Sequence, residues 1–459
     1  MSRAPGEAGV RAEDPRLGFP RKAVFGLGDY TVNTVLSSLS FYYVTYFLVQ
    51  VAGLQIEYAG YVQLIARFVD AFTDPAMGRI SDRTRWKAGR RRPWFLIGAI
   101  PFGVSFALLW WDAPLTTQAG KFVYYTSVYT ALSLAMTSLS VPYLSLQPEM
   151  ALGYDARTSL NVFRNVGSIC GVLAAIAFLP LANGLGGGSE GFARVALVYG
   201  VMLSAPWFAV YRATWERPEF QHRESQMSFV EGLRIVARHR NYRQLMGLYL
   251  CGRISMDLVA AMLVLYFAYW IRRPDDLPLM ILLLMLSSLA SLPLWLRISR
   301  RTDKGRIFVV GSLWWIASQG VLLWAAPDWP RWTLLVFAPL AGIGYAVVDL
   351  MPWAMLGEVV DEDDLATGER REGLYFGAFT FLRKLAGSLA VFAASQLLAA
   401  VGYAQGDEQS EPTILAIRLL TTLGPALFLA VGVWFAWGYP LTRERHHQIA
   451  ADLVARDRR

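Results

Sequence analysis

The sequence predicts an all-helical polytopic membrane protein that crosses the bilayer twelve times, in two six-helix halves. Three observations carry that reading: a composition too apolar for a soluble chain, about twelve long apolar blocks, and a loop pattern that occurs twice. Of 459 residues, 55% are hydrophobic and 17% charged, with a mean hydropathy of +0.35; a soluble chain carries charge on roughly a quarter of its residues. The blocks lie near 24–50, 56–80, 94–112, 121–148, 158–182, 195–212, 241–271, 277–297, 306–326, 332–356, 373–401 and 413–438. Each approaches the ~20 residues a helix needs to cross the hydrocarbon core.

From the N-terminus, "MSRAPGEAGVRAEDPRLGFPRK" is polar, with no apolar core and no small-residue cleavage site, so it is not a signal peptide. It reads as a cytoplasmic tail, 1–22. A six-helix bundle over 23–212, a cytoplasmic linker over 213–240, a second bundle over 241–438 and a cytoplasmic tail over 439–459 follow. The net charge of +8 marks topology rather than nucleic acid. Arg and Lys crowd 79–92, 212–243, 297–306 and the tail after 441, while 51–57, 113–120, 183–194 and 402–412 are nearly free of them. The positive-inside rule then puts both termini in the cytoplasm, as an even span number requires. The expected location is the plasma membrane, the inner membrane of a bacterium.

Only Cys170 and Cys251 are present, each inside an apolar block, which implies neither a disulfide framework nor a metal site. All four histidines fall in loops or the tail, so none is placed for proton transfer in mid-membrane. A Walker A loop, HExxH and a nucleophile elbow are all missing, and "GLGDY" near residue 26 opens no strand–turn–helix unit. ATP-driven transport and catalysis are both disfavoured. No cofactor beyond a coupling ion, Na⁺ or H⁺, is expected.

The halves echo each other. "GRISDRTRWKAGRRR" follows the second span and "RISRRTDKGR" the eighth, each with Arg-Ile-Ser at the membrane edge. "PEMALGYDARTSLNVFR" after span four, ending in Arg164, corresponds to "GEVVDEDDLATGERREGLYFGAFTFLRK" after span ten, ending in Lys384. Basic loops recur in any inside-positive protein, but the two correspondences together favour a true repeat. Parallel repeats of this kind describe the major facilitator architecture, with its substrate site near the midplane between halves.

Asp29, Arg67, Asp70, Asp74, Arg164, Arg253, Asp257, Asp349, Arg383 and Lys384 lie within spans. Each would cost roughly 2.5–3.5 kcal/mol at the centre of an isolated helix. They must pair, face the interior or line a wet cavity. Arg253 and Asp257, at i,i+4, read as a structural pair. Asp70 and Asp74 lie one turn apart on one face, with Arg67 on the same stripe. Two carboxylates that close repel, and become neutral enough by binding Na⁺ through hard oxygen ligands or by taking a proton. Their mutual repulsion can drive capture of a coupling cation.

"GDY" in the first span, "FVDAFTDPAMGRISDRTRWKAGRRRPW", "VPYLSLQPEM" and "VVDEDDLATGERREG" with the later Lys resemble the glycoside–pentoside–hexuronide:cation symporters, of which the melibiose carriers are best known. The resemblance runs across nearly the whole chain. It implies a cation site at Asp70, Asp74 and Thr137, with Asp70 and Asp74 as metal ligands if the ion is Na⁺. It implies sugar-hydroxyl ligands at Asp29 and Arg164, and Lys384 near both sites. Ser140 stands where melibiose carriers have a second sugar-binding Asp, Leu144 replaces a stacking Trp, and Asp349 falls where another Trp would lie. Those departures count against galactosides. Tyr143, Tyr345, Trp353 and Tyr375 are candidate substitute platforms, though such residues more often pack. Asp349 needs a cationic neighbour, expected to be Lys384 or Arg164.

Arg90, Arg91 and Arg92 are either a topology determinant or a cytoplasmic gate that pairs with Glu149 and the acidic run from Asp361 to Asp364. The expected function is a cation-coupled secondary symporter of glycosides or related sugars, working by alternating access. Its partners would be the small-molecule substrate, the coupling cation and membrane lipids, with no nucleic acid. The eukaryotic lysophospholipid symporters share the fold and the aspartate pair, so a lysophospholipid or other amphiphile symporter is the rival. A non-transporting receptor or scaffold has no need to bury so many ionisable groups.

Overall fold

The computed structural model describes residues 16–151, 154–217, 229–299, 301–368, 371–406 and 408–457. Helices fill all twelve apolar blocks. The first is α1 (Phe19–Ser38), which continues as a π-helix over Leu39–Val51. Then come α2 (Ile56–Arg83), α3 (Pro93–Leu109), α4 (Gln118–Met150), α5 (Tyr154–Gly184) and α6 (Gly188–Ala213). After α7 (Phe229–Arg238), the later spans are α8 (Arg240–Leu265), α9 (Leu277–Ser299), α10 (Lys304–Trp324), α11 (Arg331–Thr367) and α12 (Glu372–Ala400). The last block is broken into α13 (Glu411–Thr421) and α14 (Leu423–Trp437), and α15 (Arg443–Asp457) ends the described chain.

Local chemistry explains the helix ends. Thr117 caps α4 by accepting from the Gly120 N–H at 3.1 Å. α11 stops where Gly368, at φ +74°, turns left-handed and donates to the Asp364 carbonyl at 2.9 Å. α6 starts at Gly188, before the expected 195, and its polar first turn carries an exposed i,i+4 pair, Arg194 with Glu190 (2.5 Å).

Among the described residues, nine helices are long and apolar enough to cross a membrane. The other three spans are informative. α3 is a shorter apolar helix, while α2 and α4 are long but carry polar residues at the very positions the sequence marks as functional.

By packing, the chain divides into two compact units. The N-terminal unit holds the described residues up to Tyr43 and the stretch from Ile65 through α6; the C-terminal unit holds Val44–Leu64 and α7 onward. A division after six consecutive spans would have placed Val44–Leu64 in the first unit. Polar contacts to backbone tie this hairpin into the C-terminal unit: Thr45 Oγ1 donates to the Ala261 carbonyl at 2.7 Å, and Tyr403 Oη to the Thr45 carbonyl at 3.1 Å. Gln50 Nε2 donates to Tyr403 Oη at 2.7 Å.

Within the N-terminal unit, α1 packs on α5 and α3 on α4 and α6. A Cβ at Gly26 would lie 2.5 Å from the Phe163 carbonyl oxygen and one at Gly28 2.6 Å from the Tyr143 ring. These two glycines let α1 approach α5 and α4 closely, as small residues do between membrane helices. Within the C-terminal unit, α8 packs on α12 and α14, and α11 on α9 and α10.

Two expected polar segments hold structure. α7 lies in the linker 213–240, of which 218–228 is outside the described residues, as is 1–15 of the N-terminal tail. The tail 439–459 contains α15, held on α11 by Arg456 Nη2 to Asp364 (2.8 Å), with Ile449 buried.

Candidate functional site: a carboxylate pair and an Asp–Arg centre on one helix stripe

α4 carries Thr137, Ser140, Tyr143 and Gln147 at spacings of three and four, one stripe of a helix. One end of the stripe meets α2. Thr137 Oγ1 lies 2.9 Å from Asp70 Oδ1 and 2.7 Å from Asp74 Oδ1. Asp70 is fully buried and Thr137 2% exposed. Arg67 Nη1 approaches the other oxygen of Asp70, Oδ2, at 3.7 Å. The Oδ1 atoms of both carboxylates therefore converge on one hydroxyl. That hydroxyl has a single proton and can donate it to only one of them at a time. Pro75, inside α2, has no N–H, so the Ala71 carbonyl between the two aspartates lacks its helix donor. Carboxylate, hydroxyl and carbonyl oxygens are the ligands of a hard cation.

The other end of the stripe meets α1 and α5. Arg164 grips Asp29 with two groups, Nε to Oδ2 at 2.6 Å and Nη2 to Oδ1 at 3.1 Å. Tyr143 Oη lies 2.6 Å from Asp29 Oδ2 and 2.8 Å from the Phe25 carbonyl oxygen. Its ring stacks on Phe25 at 4.3 Å and is 1% exposed. Tyr143 thus packs and orients Asp29 and presents no open face. Arg164 also donates to Gln147 Oε1, and Gln147 Nε2 donates to Asn161 Oδ1 at 2.6 Å. Sequence reasoning missed Gln147 and Asn161. Their signal was positional: Gln147 is one turn beyond Tyr143, and Asn161 one turn before Arg164. Ser140 is half-buried between the two ends of the stripe.

The arginine cluster is built into the N-terminal unit. Arg90 Nη2 and Arg91 Nη1 reach Glu149 Oε1 at 2.7 and 2.5 Å, and Arg91 Nη2 reaches Asp82 at 2.8 Å. Glu216, which drew no attention in the sequence, accepts the backbone N–H groups of Arg90, Arg91 and Arg92 at 2.8–3.0 Å. Arg92 Nη2 donates to the Tyr211 carbonyl at 2.8 Å. Asp361, in the C-terminal unit, lies 3.3 Å from His446 Nε2.

Also in the C-terminal unit, Arg253 pairs with Asp257 as the i,i+4 spacing predicts (2.5 Å). Asp349 is exposed on α11, and Lys384 half-buried on α12. Tyr375 is fully buried and packs, while Trp353 is half-buried and lies edge-on to Phe379 at 4.9 Å. Among the described residues no cluster of three or more His, Cys, Asp or Glu could hold a metal.

A twelve-span helical chain with this charge inventory is a membrane transporter of the major facilitator fold, and not an enzyme. A family model described as MFS/sugar transport protein matches residues 24–443, and the chain belongs to that family. It is 28% identical to the uncharacterized symporter sll1374 of Synechocystis, over 96% of this chain and 97% of that one. It is 26% identical to the glucuronide carrier protein homolog of Escherichia coli, over 94% of each. It is 25% identical to the sodium-dependent lysophosphatidylcholine symporter 1-A of Danio rerio, over 92% of this chain and 86% of that one. The nucleoside transporter NupG superposes with a TM-score of 0.65 at 12% identity, covering 92% of this chain and all of that one, which speaks for the fold alone.

Proposed function

We propose that the protein is a cation-coupled secondary symporter of glycosides or related sugars that works by alternating access. The observation that carries the coupling is the convergence of Asp70 Oδ1 and Asp74 Oδ1 on Thr137 Oγ1. Two negative charges share one hydroxyl proton, and the site is completed by Na⁺ among these oxygens or by H⁺ on one carboxyl group. Substrate hydroxyls are read in the N-terminal unit by Asp29 and Arg164, with Ser140 on the same α4 stripe and Tyr143 holding Asp29; within the C-terminal unit, Asp349 and Lys384 are further substrate residues. A hydrogen-bonded Asp–Arg pair offers acceptors and donors together, as a polyhydroxylated ligand requires. In the N-terminal unit, Arg90, Arg91 and Arg92 with Glu149 are cytoplasmic gate residues; in the C-terminal unit Asp361 is another, and both termini are cytoplasmic.

A lysophospholipid substrate is the second reading, favoured by the match to the Danio rerio symporter. Thermal melting of the purified protein against a panel of sugars and lysophospholipids, with and without Na⁺ and at two pH values, separates them. Stabilisation by a sugar, strengthened by the cation, is the expected result, since coupled ligands raise each other's affinity equally. Stabilisation by lysophospholipids alone would overturn the sugar assignment, and indifference to both cations would overturn the coupling.

A further inference from the structure

The C-terminal helix α15 lies on an acidic stretch of α11, and one of its side chains depends on the charge there. His446 Nε2 is 3.3 Å from Asp361 Oδ2, and its Nδ1 is 3.9 Å from Glu358 Oε1. Both ring nitrogens thus face carboxylates, which when ionised only accept hydrogen bonds. A neutral imidazole has one N–H and one lone pair, so in either tautomer a lone pair meets a carboxylate oxygen. The imidazolium, with two N–H groups, suits both neighbours. His239, beside the same run of α11, is the opposite case. Its Nδ1 accepts the Tyr242 N–H at 3.3 Å, which leaves the proton on Nε2, 3.7 Å from Glu362. Those surroundings suit a neutral ring.

The other charged groups around His446 keep their charge through the neutral range. Lys304, at the start of α10, reaches the same Glu358 oxygen at 2.8 Å. Arg443, one turn earlier on α15, donates from Nε to His447 at 3.4 Å and from its backbone N–H to Asp303 at 3.0 Å. Glu444 and Arg445 are exposed. Burial, with Glu358 and Glu362 adding to it, holds the Tyr439 hydroxyl well above the usual tyrosine range. Farther along α15, Arg456 donates to the carbonyl and the carboxylate of Asp364 at 2.7 and 2.8 Å, and Ile449 is buried. We propose that His446 makes the docking of α15 a pH-sensitive latch: protonated, it clamps the first turns of the helix to Glu358 and Asp361, and neutral, it releases them. Histidine changes charge between about pH 5 and 8. The docked arrangement favours the charged ring, so docking is firm at acid pH and loosens as the pH rises through the titration of the imidazole. Arg456 and Ile449 keep the far end in place, and the release is local. On the reading that both termini are cytoplasmic, the pH sensed is that of the cytoplasm, and release returns Asp361 to its role as a gate residue.

Hydrogen exchange of the purified full-length protein at about pH 6 and about pH 8, corrected for the intrinsic pH dependence of exchange, tests the latch. Wild type, His446→Gln, His446→Arg and His239→Gln are compared, with the amides of α10 reporting that each variant is folded. In the wild type, amide protection over 447–452 of α15 should fall about tenfold from the lower to the higher pH, as for losing a hydrogen bond between charged groups. His446→Arg, whose charge is permanent, should stay protected at both pH values, and His446→Gln should be loose at both. His239→Gln should respond as the wild type does. Equal wild-type protection at the two pH values, or a wild-type pH response in His446→Gln, overturns the latch and leaves the transporter reading and the topology intact.

Discussion

Asp74→Asn tests the coupling site most directly. Asp70 Oδ1 and Asp74 Oδ1 lie 2.9 and 2.7 Å from the same Thr137 oxygen, so the two atoms are at most about 5.6 Å apart, the two contacts laid end to end. Two unit charges at that separation repel by about 3 kcal/mol at an effective dielectric constant of ~20. A cation that binds between them recovers this repulsion as affinity. Asn at 74 keeps the shape and one oxygen but abolishes the repulsion, so the cation loses roughly 3 kcal/mol of its advantage. At tenfold per 1.4 kcal/mol, the half-saturating cation concentration should rise about a hundredfold. In proteoliposomes the variant should fail to accumulate substrate against a gradient, while exchange and downhill flux partly persist. Wild-type accumulation, or an unchanged cation requirement, would refute the assignment.

Three further outcomes are expected. Asp29→Ala strips Arg164 of both hydrogen bonds to Asp29, a change that costs about 2–5 kcal/mol, so substrate affinity should fall roughly 30-fold or more while cation-dependent stabilisation persists; an unchanged transport constant would count against the role of Asp29. Glu149→Gln leaves Arg90 and Arg91 buried without their shared carboxylate, and about 3 kcal/mol or more of stability should be lost, read as a lower melting temperature with no ligand present; an unaltered melting curve would show that Asp82 alone suffices. Asp349→Asn should leave the melting curve close to wild type, since Asp349 is exposed and makes no ion pair among the described residues, yet change which compounds are transported. A large loss of stability with an unaltered substrate profile would reject a recognition role for Asp349.

The sequence by itself determined everything that depends on neighbours along the chain. Twelve apolar blocks became helices because length and hydropathy are local properties, and in lipid a helix is the only open segment that satisfies its own backbone. Asp70 and Asp74 share a face because four residues make one turn, and Arg253 meets Asp257 for the same reason. The resemblance to a transporter family added Thr137, 63 residues from Asp74, which periodicity could not have supplied. Tertiary structure decided what depends on which helices touch. Tyr143 is turned inward against Phe25 and Asp29, Gln147 and Asn161 extend the Arg164 network, and Glu216 holds a loop 126 residues earlier in the chain. Val44–Leu64 joins the C-terminal unit, although the sequence places it among the N-terminal spans. The physical reason is common to all of these. A hydrogen bond or an ion pair between distant residues depends on distances of a few ångströms that no run of one helix records, because they exist only once two helices have packed.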